Sequence, residues 1–375
     1  MRKLGIYIHI PFCVSKCFYC DFCSYVDNSK LNEYIEALLN EILSNIELLQ
    51  EYEVDTIYIG GGTPSAIDEK YIEKILNLLK SVCLKIKEIT IEANPETLTL
   101  EKLEAYKKLG VTRLSLGLQS ANNKTLKIIG RHMLVEDFEK VYNMAVKCGF
   151  NNISTDVIIG LPKENIEDFK HTLEYILSKE KITHISAYSL EIHEGTKLKF
   201  LLDNNFITLP KEDEERNMKH LLDKTLAKYN FERYEISNYA KDKMYSLHNT
   251  KYWNQEEYLG FGVSAASYIN NVRYTNLRDI SEYIKGINNG TNIKQEIEEM
   301  DKLDTIKEYI ILRLRLKQGV IFNDFKLKFK QDIFELFNDS ITKLVKEGLI
   351  INDGKSIYLT DKGEDLANIV WQEFI

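Results

Sequence analysis

Four cysteines, Cys13, Cys17, Cys20 and Cys23, fall within eleven residues of one another. Thiolates three and four residues apart on one loop can wrap a single metal cluster, and iron–sulfur clusters are held by such runs. Three thiolates from Cys13-x3-Cys17-x2-Cys20 would leave one coordination position for a group from outside the protein. A mononuclear zinc site ordinarily takes four ligands as two separated pairs, and only Cys23 is near enough to be the fourth. That zinc site, and thiols merely packed in a core, stand as the alternatives. Cys83 and Cys148 lie alone in helical-looking segments.

Further along, single polar or glycine residues recur where strand-like runs end. Gly60-Gly61-Gly62-Thr63-Pro64 would let backbone groups approach a ligand closely, because no Cβ intervenes, although a glycine triplet is also a common tight turn. Glu92 in Glu-Ala-Asn-Pro-Glu could accept hydrogen bonds from hydroxyls, or simply precede a helix. Gln119, Arg131 and Asp156 each sit in a short glycine-containing string, and each taken alone reads equally as a solvated loop residue. Tyr7 and Tyr19 flank the cysteine loop and could as well be core aromatics.

These residues need elements to position them. Runs at 5–10, 56–59, 88–91, 113–116, 153–159 and 184–188 read as strands. Helical spacing fills 30–49, 69–79, 100–109, 123–129, 135–148 and 166–177. Strands alternating with helices of this length indicate βαβ units and a parallel sheet. Right-handed crossovers through six sequential repeats favour an α/β fold built on a partial (β/α)6 barrel coated by helices, and a barrel places its site at the C-terminal strand ends.

The second half loses that rhythm. Residues 211–229 form a charged helix, 232–239 and 268–274 look strand-like, and a loop carries His248-Asn249-Thr250-Lys251-Tyr252-Trp253. From 300 the order is three helices (302–317, 322–329, 333–347), a hairpin at Asn352-Asp353-Gly354 and a helix from 361, which resembles a winged-helix module. The expected division is 1–208 as the barrel, 209–299 as an α+β connecting segment, and 300–375 as a smaller, mostly α C-terminal domain ending in that module.

Composition bounds the partners. The 375 residues carry 49 Lys and Arg against 57 Asp and Glu, a net charge of −8 with both signs mixed, so no nucleic-acid partner is expected. No apolar run approaches the ~18 residues of a membrane span. The N-terminal run is interrupted by His9 and Pro11 and lacks a cleavage site, so the expected compartment is the cytoplasm.

With these motifs in place, residues 1–188 resemble the radical S-adenosylmethionine (SAM) superfamily. Tyr7-Ile8-His9-Ile10-Pro11-Phe12-Cys13, with Cys17, Phe18, Tyr19, Cys20, Asp21 and Phe22, looks like its coproporphyrinogen-dehydrogenase-related branch. The resemblance implies a [4Fe-4S] cluster on Cys13, Cys17 and Cys20 whose fourth iron is chelated by SAM. It implies a SAM pocket at Gly61, Gly62, Thr63, Glu92, Gln119, Arg131 and Asp156, flanked by Tyr7 and Tyr19, with Cys23 a spare thiol.

Within that branch, Cys20 is followed by Asp21-Phe22 rather than by the dehydrogenase's Cys-x-Cys ending, and only twelve residues precede Cys13. The His248–Asn249…Tyr252–Trp253 string is similar to the His-Asn-x-x-Tyr-Trp motif of the haem-chaperone family HemW, and the likeness covers essentially the whole chain. Membership implies haem as cargo, haem-accepting proteins as partners, respiratory enzymes at the membrane among them, and SAM as a structural or regulatory ligand. No catalytic residue is assigned, and a homodimer is left open. A loop imidazole beside flat aromatics suits haem, making His248, Tyr252 and Trp253 its candidate contacts; a polar loop pair and two core aromatics is the plainer reading. Two other functions stay open: an oxygen-independent coproporphyrinogen III dehydrogenase, and an iron–sulfur electron carrier or zinc-stabilised interaction protein.

Overall fold

A computed structural model describes the whole chain, Met1–Ile375. Six parallel strands run in sequence order: β1 (Arg2–Ile10), β2 (Tyr52–Gly61), β3 (Glu88–Ala93), β4 (Arg113–Gln119), β5 (Ile153–Ile159) and β6 (Ile182–Ser189). All seven residues of β4 are buried, as expected of parallel strands covered on both faces. The helices between them coat the outer face. In Glu69–Val82, for example, the buried residues Ile72, Ile75, Leu76 and Leu79 fall on one stripe.

The sheet does not close on itself. β1 pairs in parallel with β9 (Tyr258–Phe261), and the sheet continues through β10 (Ala266–Ile269), β11 (Val272–Asn276) and β12 (Lys294–Glu299). At the other edge β6 pairs antiparallel with β8 (Asn238–Ala240), which pairs with β7 (Glu232–Arg233). Twelve strands therefore form one sheet around a parallel centre of seven, β9 and β1 to β6, an α/β architecture as expected. One apolar core runs from Leu4 to Ile293, so the residues of 209–299 pack with those of 1–208. A second core, from Ile306 to Phe374, belongs to the C-terminal part. There helix Lys302–Arg313, β13 (Val320–Ile321), two further helices and the hairpin of β14 (Ile350–Asn352) and β15 (Ser356–Leu359) follow the winged-helix order.

Several elements differ from the sequence reading. The helix expected over 30–49 breaks at Asn45 into Leu31–Ser44 and Ile46–Gln50. The strand expected over 268–274 is a hairpin, because Asn270 and Asn271 both take positive φ (53° and 60°) and make a two-residue turn. Residues 232–239 fold back as β7 and β8. The motif at 248–253 is no loop but a helix, Leu247–Trp253, capped by the Ser246 hydroxyl.

Helix ends carry measurable energy. Asn165 accepts from the backbone N–H of Glu167 and Asp168, while Asp168 accepts from that of Asn165. Asn165→Ala therefore lowers stability by about 1 kcal/mol, read as a shift of the urea midpoint.

Candidate functional site

Period-two alternation decides what faces the concave side of the central strands. Register pairs Glu92 with Ser115, Gly117 with Asp156, Asp156 with Ser186, and Ile158 with Tyr188. These positions point inward, and with Tyr58 they line one cavity of about 410 Å³. Cys13, Cys17, Cys20, Tyr19, Gly61, Gly62, Thr63, Glu92, Gln119, Arg131 and Asp156 all border it. Tyr7 does not. Sequence reading missed Tyr58, Asn94, Arg113, Ser115, Ser186 and Tyr188, although stepping by two from Glu92 or Asp156 along a strand reaches Thr90 and Ser154 and then, across the ladder, their neighbours.

The cysteine loop is seated by backbone bonds at both ends. The Cys13 N–H donates to Tyr25 O (2.9 Å), Phe18 N–H to Ile129 O (2.9 Å), and Thr63 N–H to Phe12 O (2.8 Å). Gly62 permits the close approach of the loop to β2: a Cβ there would stand 2.9 Å from Phe12 O and 3.0 Å from the Cys13 sulfur. The Thr63 hydroxyl lies 3.5 Å from that sulfur. Burial pushes the Cys13 and Cys20 thiols upward, so their ionisation calls for a cation. Arg131, itself buried, brings Nη1 within 3.8 Å of the Cys17 sulfur and 3.0 Å of Asn94 Oδ1. No three His, Cys, Asp or Glu side chains surround a point that a single metal ion could fill.

Beyond the thiols the wall is polar and incompletely paired. Glu92 accepts from the Tyr58 hydroxyl (2.6 Å) and the Gly61 N–H (3.3 Å). Burial, more than these bonds oppose it, raises its carboxyl to about 7. Burial also raises Asp156, against the pull of Ser186, Arg113 and Arg131. Gln119 ends β4 at φ 65°, a backbone region that a non-glycine residue adopts at a cost of about 1–3 kcal/mol. Its Oε1 and the Arg131 Nε are buried without a partner. Such orphaned groups are rare in the absence of a ligand, and together with three thiols they fit a polar, metal-anchored cofactor.

The chain matches the Radical SAM superfamily over residues 7–176 and the HemN C-terminal domain over 300–366. The heme chaperone HemW of Lactococcus lactis is 37% identical over 374 residues, covering 98% of this chain and 96% of that protein. HemW of Bacillus subtilis is 34% identical, covering 98% of each. The chain belongs to the HemW family. Its fold matches the Escherichia coli coproporphyrinogen III oxidase HemN, a radical SAM enzyme, with a TM-score of 0.86 at 23% identity, covering 100% of this chain and 90% of that one.

The HemW motif residues are not placed as the sequence reading expected. His248 is fully buried on the helix Leu247–Trp253, not on a loop. Its Nδ1 meets the Thr56 hydroxyl (2.9 Å) and its Nε2 the Tyr252 hydroxyl (2.8 Å), so neither ring nitrogen is open to iron. Burial and the nearby Lys251 hold its imidazole down to about 3, neutral at any physiological pH. The helix packs across the start of the central strands: Glu88 accepts from the N–H groups of Leu247 and His248 (3.1 Å each). The His248 ring lies tilted against Tyr58, at 5.3 Å between centroids.

Tyr252 and Trp253 instead border a second cavity of about 510 Å³, shared with Tyr7, His9, Phe22 and Cys23. The motif helix of this HemW-family chain thus forms a wall, with the thiol-lined cavity on one side and the aromatic one on the other. Asn249 faces the first and Tyr252 the second.

Proposed function

We propose that this chain carries a [4Fe-4S] cluster on Cys13, Cys17 and Cys20, holds SAM, and binds haem in the cytoplasm for delivery to haem-accepting proteins, respiratory enzymes among them. The observation that carries the cofactor half is the convergence of three thiols with the unpartnered Gln119 Oε1 and Arg131 Nε on one cavity. The cargo half rests on end-to-end likeness to proteins named as haem chaperones. Six unpaired cysteines suit a reducing compartment, and no helix is long and apolar enough to cross a membrane.

When bound, the cluster supplies an iron open to the amino and carboxylate groups of SAM. The chain's own residues do the rest. Arg131 offsets thiolate charge at Cys17, Gly61 and Gly62 admit the ligand close to the backbone, and Glu92 and Asp156 accept hydrogen bonds from its hydroxyl and amino groups. Gln119 offers its unpartnered oxygen, and Tyr19 covers the cofactor's edge.

Glu92 gives this reading a pH signature. Its carboxyl titrates at about 7 in the folded chain, and the carboxylate is the accepting form. SAM binding to the cluster-loaded protein therefore strengthens as pH rises from about 6 and levels off above the folded value, by at most about tenfold per pH unit for one proton. Isothermal titration across that range reads it, and Glu92→Gln flattens the profile. A wild-type profile that is already flat rules out Glu92 as a contact.

The decisive test of the function is an anaerobic haem titration of the cluster-loaded chain. Saturable, stoichiometric growth of a Soret band is expected, with no conversion of coproporphyrinogen. Absence of saturable binding, together with coproporphyrinogen turnover and 5′-deoxyadenosine release, would identify a dehydrogenase instead.

A further inference from the structure

We infer that the 510 Å³ aromatic cavity is the seat of the metalloporphyrin, and that the Cys23 sulfur is the axial donor to its iron. The inference rests on the haem-carrier reading above and adds to it a place and a ligand.

The cavity has the size of a small-molecule site and walls suited to a flat, apolar macrocycle. Tyr7, Phe22, Tyr252, Trp253, Tyr258 and Tyr268 border it, and aromatic rings contact a planar π-system with large area at little entropic cost. Phe22 borders both cavities, so the seat lies directly behind the cysteine loop.

The axial donor follows from which ligating atoms are already engaged. His9 meets the Tyr7 hydroxyl through Nδ1 (3.0 Å) and Cys23 O through Nε2 (2.9 Å). The Tyr252 hydroxyl meets His248, and the Tyr268 hydroxyl meets Asn271 Oδ1. The Tyr258 hydroxyl has the Arg273 guanidinium beside it. That leaves the Cys23 sulfur, whose only close partners are the Arg278 carbonyl (3.5 Å) and the Tyr25 hydroxyl (3.9 Å), with Ser264 beside it. On ligation the thiol proton leaves to solvent and a sulfur lone pair enters the iron. The Ser264 hydroxyl is then placed to donate to the thiolate, which tunes such a ligand, while the Tyr25 hydroxyl stays on the Arg278 carbonyl (2.8 Å).

A separate observation points to an occupant. Gln255 is 5% exposed and borders the cavity; its Nε2 donates to Thr305 O and Glu308 (3.0 Å each), yet its Oε1 is buried without a partner. The buried indole Nε1 of Trp253, also on the cavity, has none either. With Arg273, a third of its side chain exposed beside Glu308, this indole offers donors for a propionate. The cluster does not claim Cys23, since it faces the other cavity.

The test is the haem titration repeated with full-length Cys23→Ser and Ala266→Phe, the latter filling the cavity while leaving the thiol in the sequence. Wild type is expected to show thiolate-type spectra, including the red-shifted ferrous–CO Soret band. Cys23→Ser loses that signature and binds haem about tenfold or more weakly. Ala266→Phe weakens binding comparably, with cluster iron and sulfide unchanged in both. Equal affinity and identical spectra in all three proteins, or a histidine-type spectrum in wild type, overturn the seat while leaving the carrier reading standing. No saturable binding by wild type overturns the carrier reading itself.

Discussion

Lys251→Met lowers the stability of the chain by about 3–5 kcal/mol, the usual effect of stranding one member of a buried ion pair. Lys251 is 3% exposed, and its Nζ lies 2.7 Å from Asp55 Oδ1 and 2.9 Å from Glu256 Oε2. The Asp55 contact lies off the hydrogen-bonding direction of the carboxylate, so its value is Coulombic, and a buried carboxylate without it has little else. Methionine keeps the stem, whose Cδ would stand 3.0 Å from a Cβ at Gly5, so the loss isolates the charge. Urea unfolding at pH 7 measures it. Asp55→Asn in the same chain should recover much of the stability, because the desolvated charge is then gone. A single-variant loss under about 1 kcal/mol would mean that water reaches Asp55.

Gly62→Val weakens cluster assembly although every thiol remains. The new Cβ meets Phe12 O and the Pro11 carbonyl carbon at 2.9 Å and the Cys13 sulfur at 3.0 Å. The first two are backbone, fixed by the bonds from Gly62 N–H to Ile10 O and Thr63 N–H to Phe12 O, so the loop must shift as a unit. Overpacking of about 1–3 kcal/mol corresponds to roughly 5–150-fold weaker cluster binding. Iron and sulfide analysis after anaerobic reconstitution reads it, beside Cys17→Ala, which is expected at background because two thiolates remain. Cluster retention in both variants would remove the three-thiol assignment.

The central fold and the thiol-lined cavity were legible because their signals are local. Six apolar runs alternating with amphipathic helices dictate parallel βαβ units, and period two within each run fixes which residues share a face. Cys13, Cys17 and Cys20 lie on one loop, and Gly61, Gly62, Thr63, Glu92, Gln119 and Asp156 lie at strand ends or on inward strand positions, so the order of strands alone brings them together. The Asn270-Asn271 turn was available too, since asparagine tolerates positive φ, but the apolar residues on either side read as one strand.

The His248 motif was misread because burial is not a local property. Spacing marks His248, Tyr252 and Trp253 as a set, yet whether the imidazole is open to iron depends on Thr56, which lies far away in sequence and meets its Nδ1 only once β2 is in place, with Glu88 of β3 anchoring the backbone N–H of the same residue. The same holds for Cys23. In the sequence it is a spare thiol three residues beyond a cluster motif. In the fold it stands behind that motif, facing a cavity whose opposite walls come from β9, β10 and the helix Lys302–Arg313. The sequence determined the six central strands and the thiols, glycines and strand-end residues that share the first cavity, because hydrophobic periodicity and right-handed crossovers act over tens of residues. Only the tertiary structure decided that the motif helix is a wall and that a second cavity lies behind it, because that wall is closed by contacts between segments about 200 residues apart.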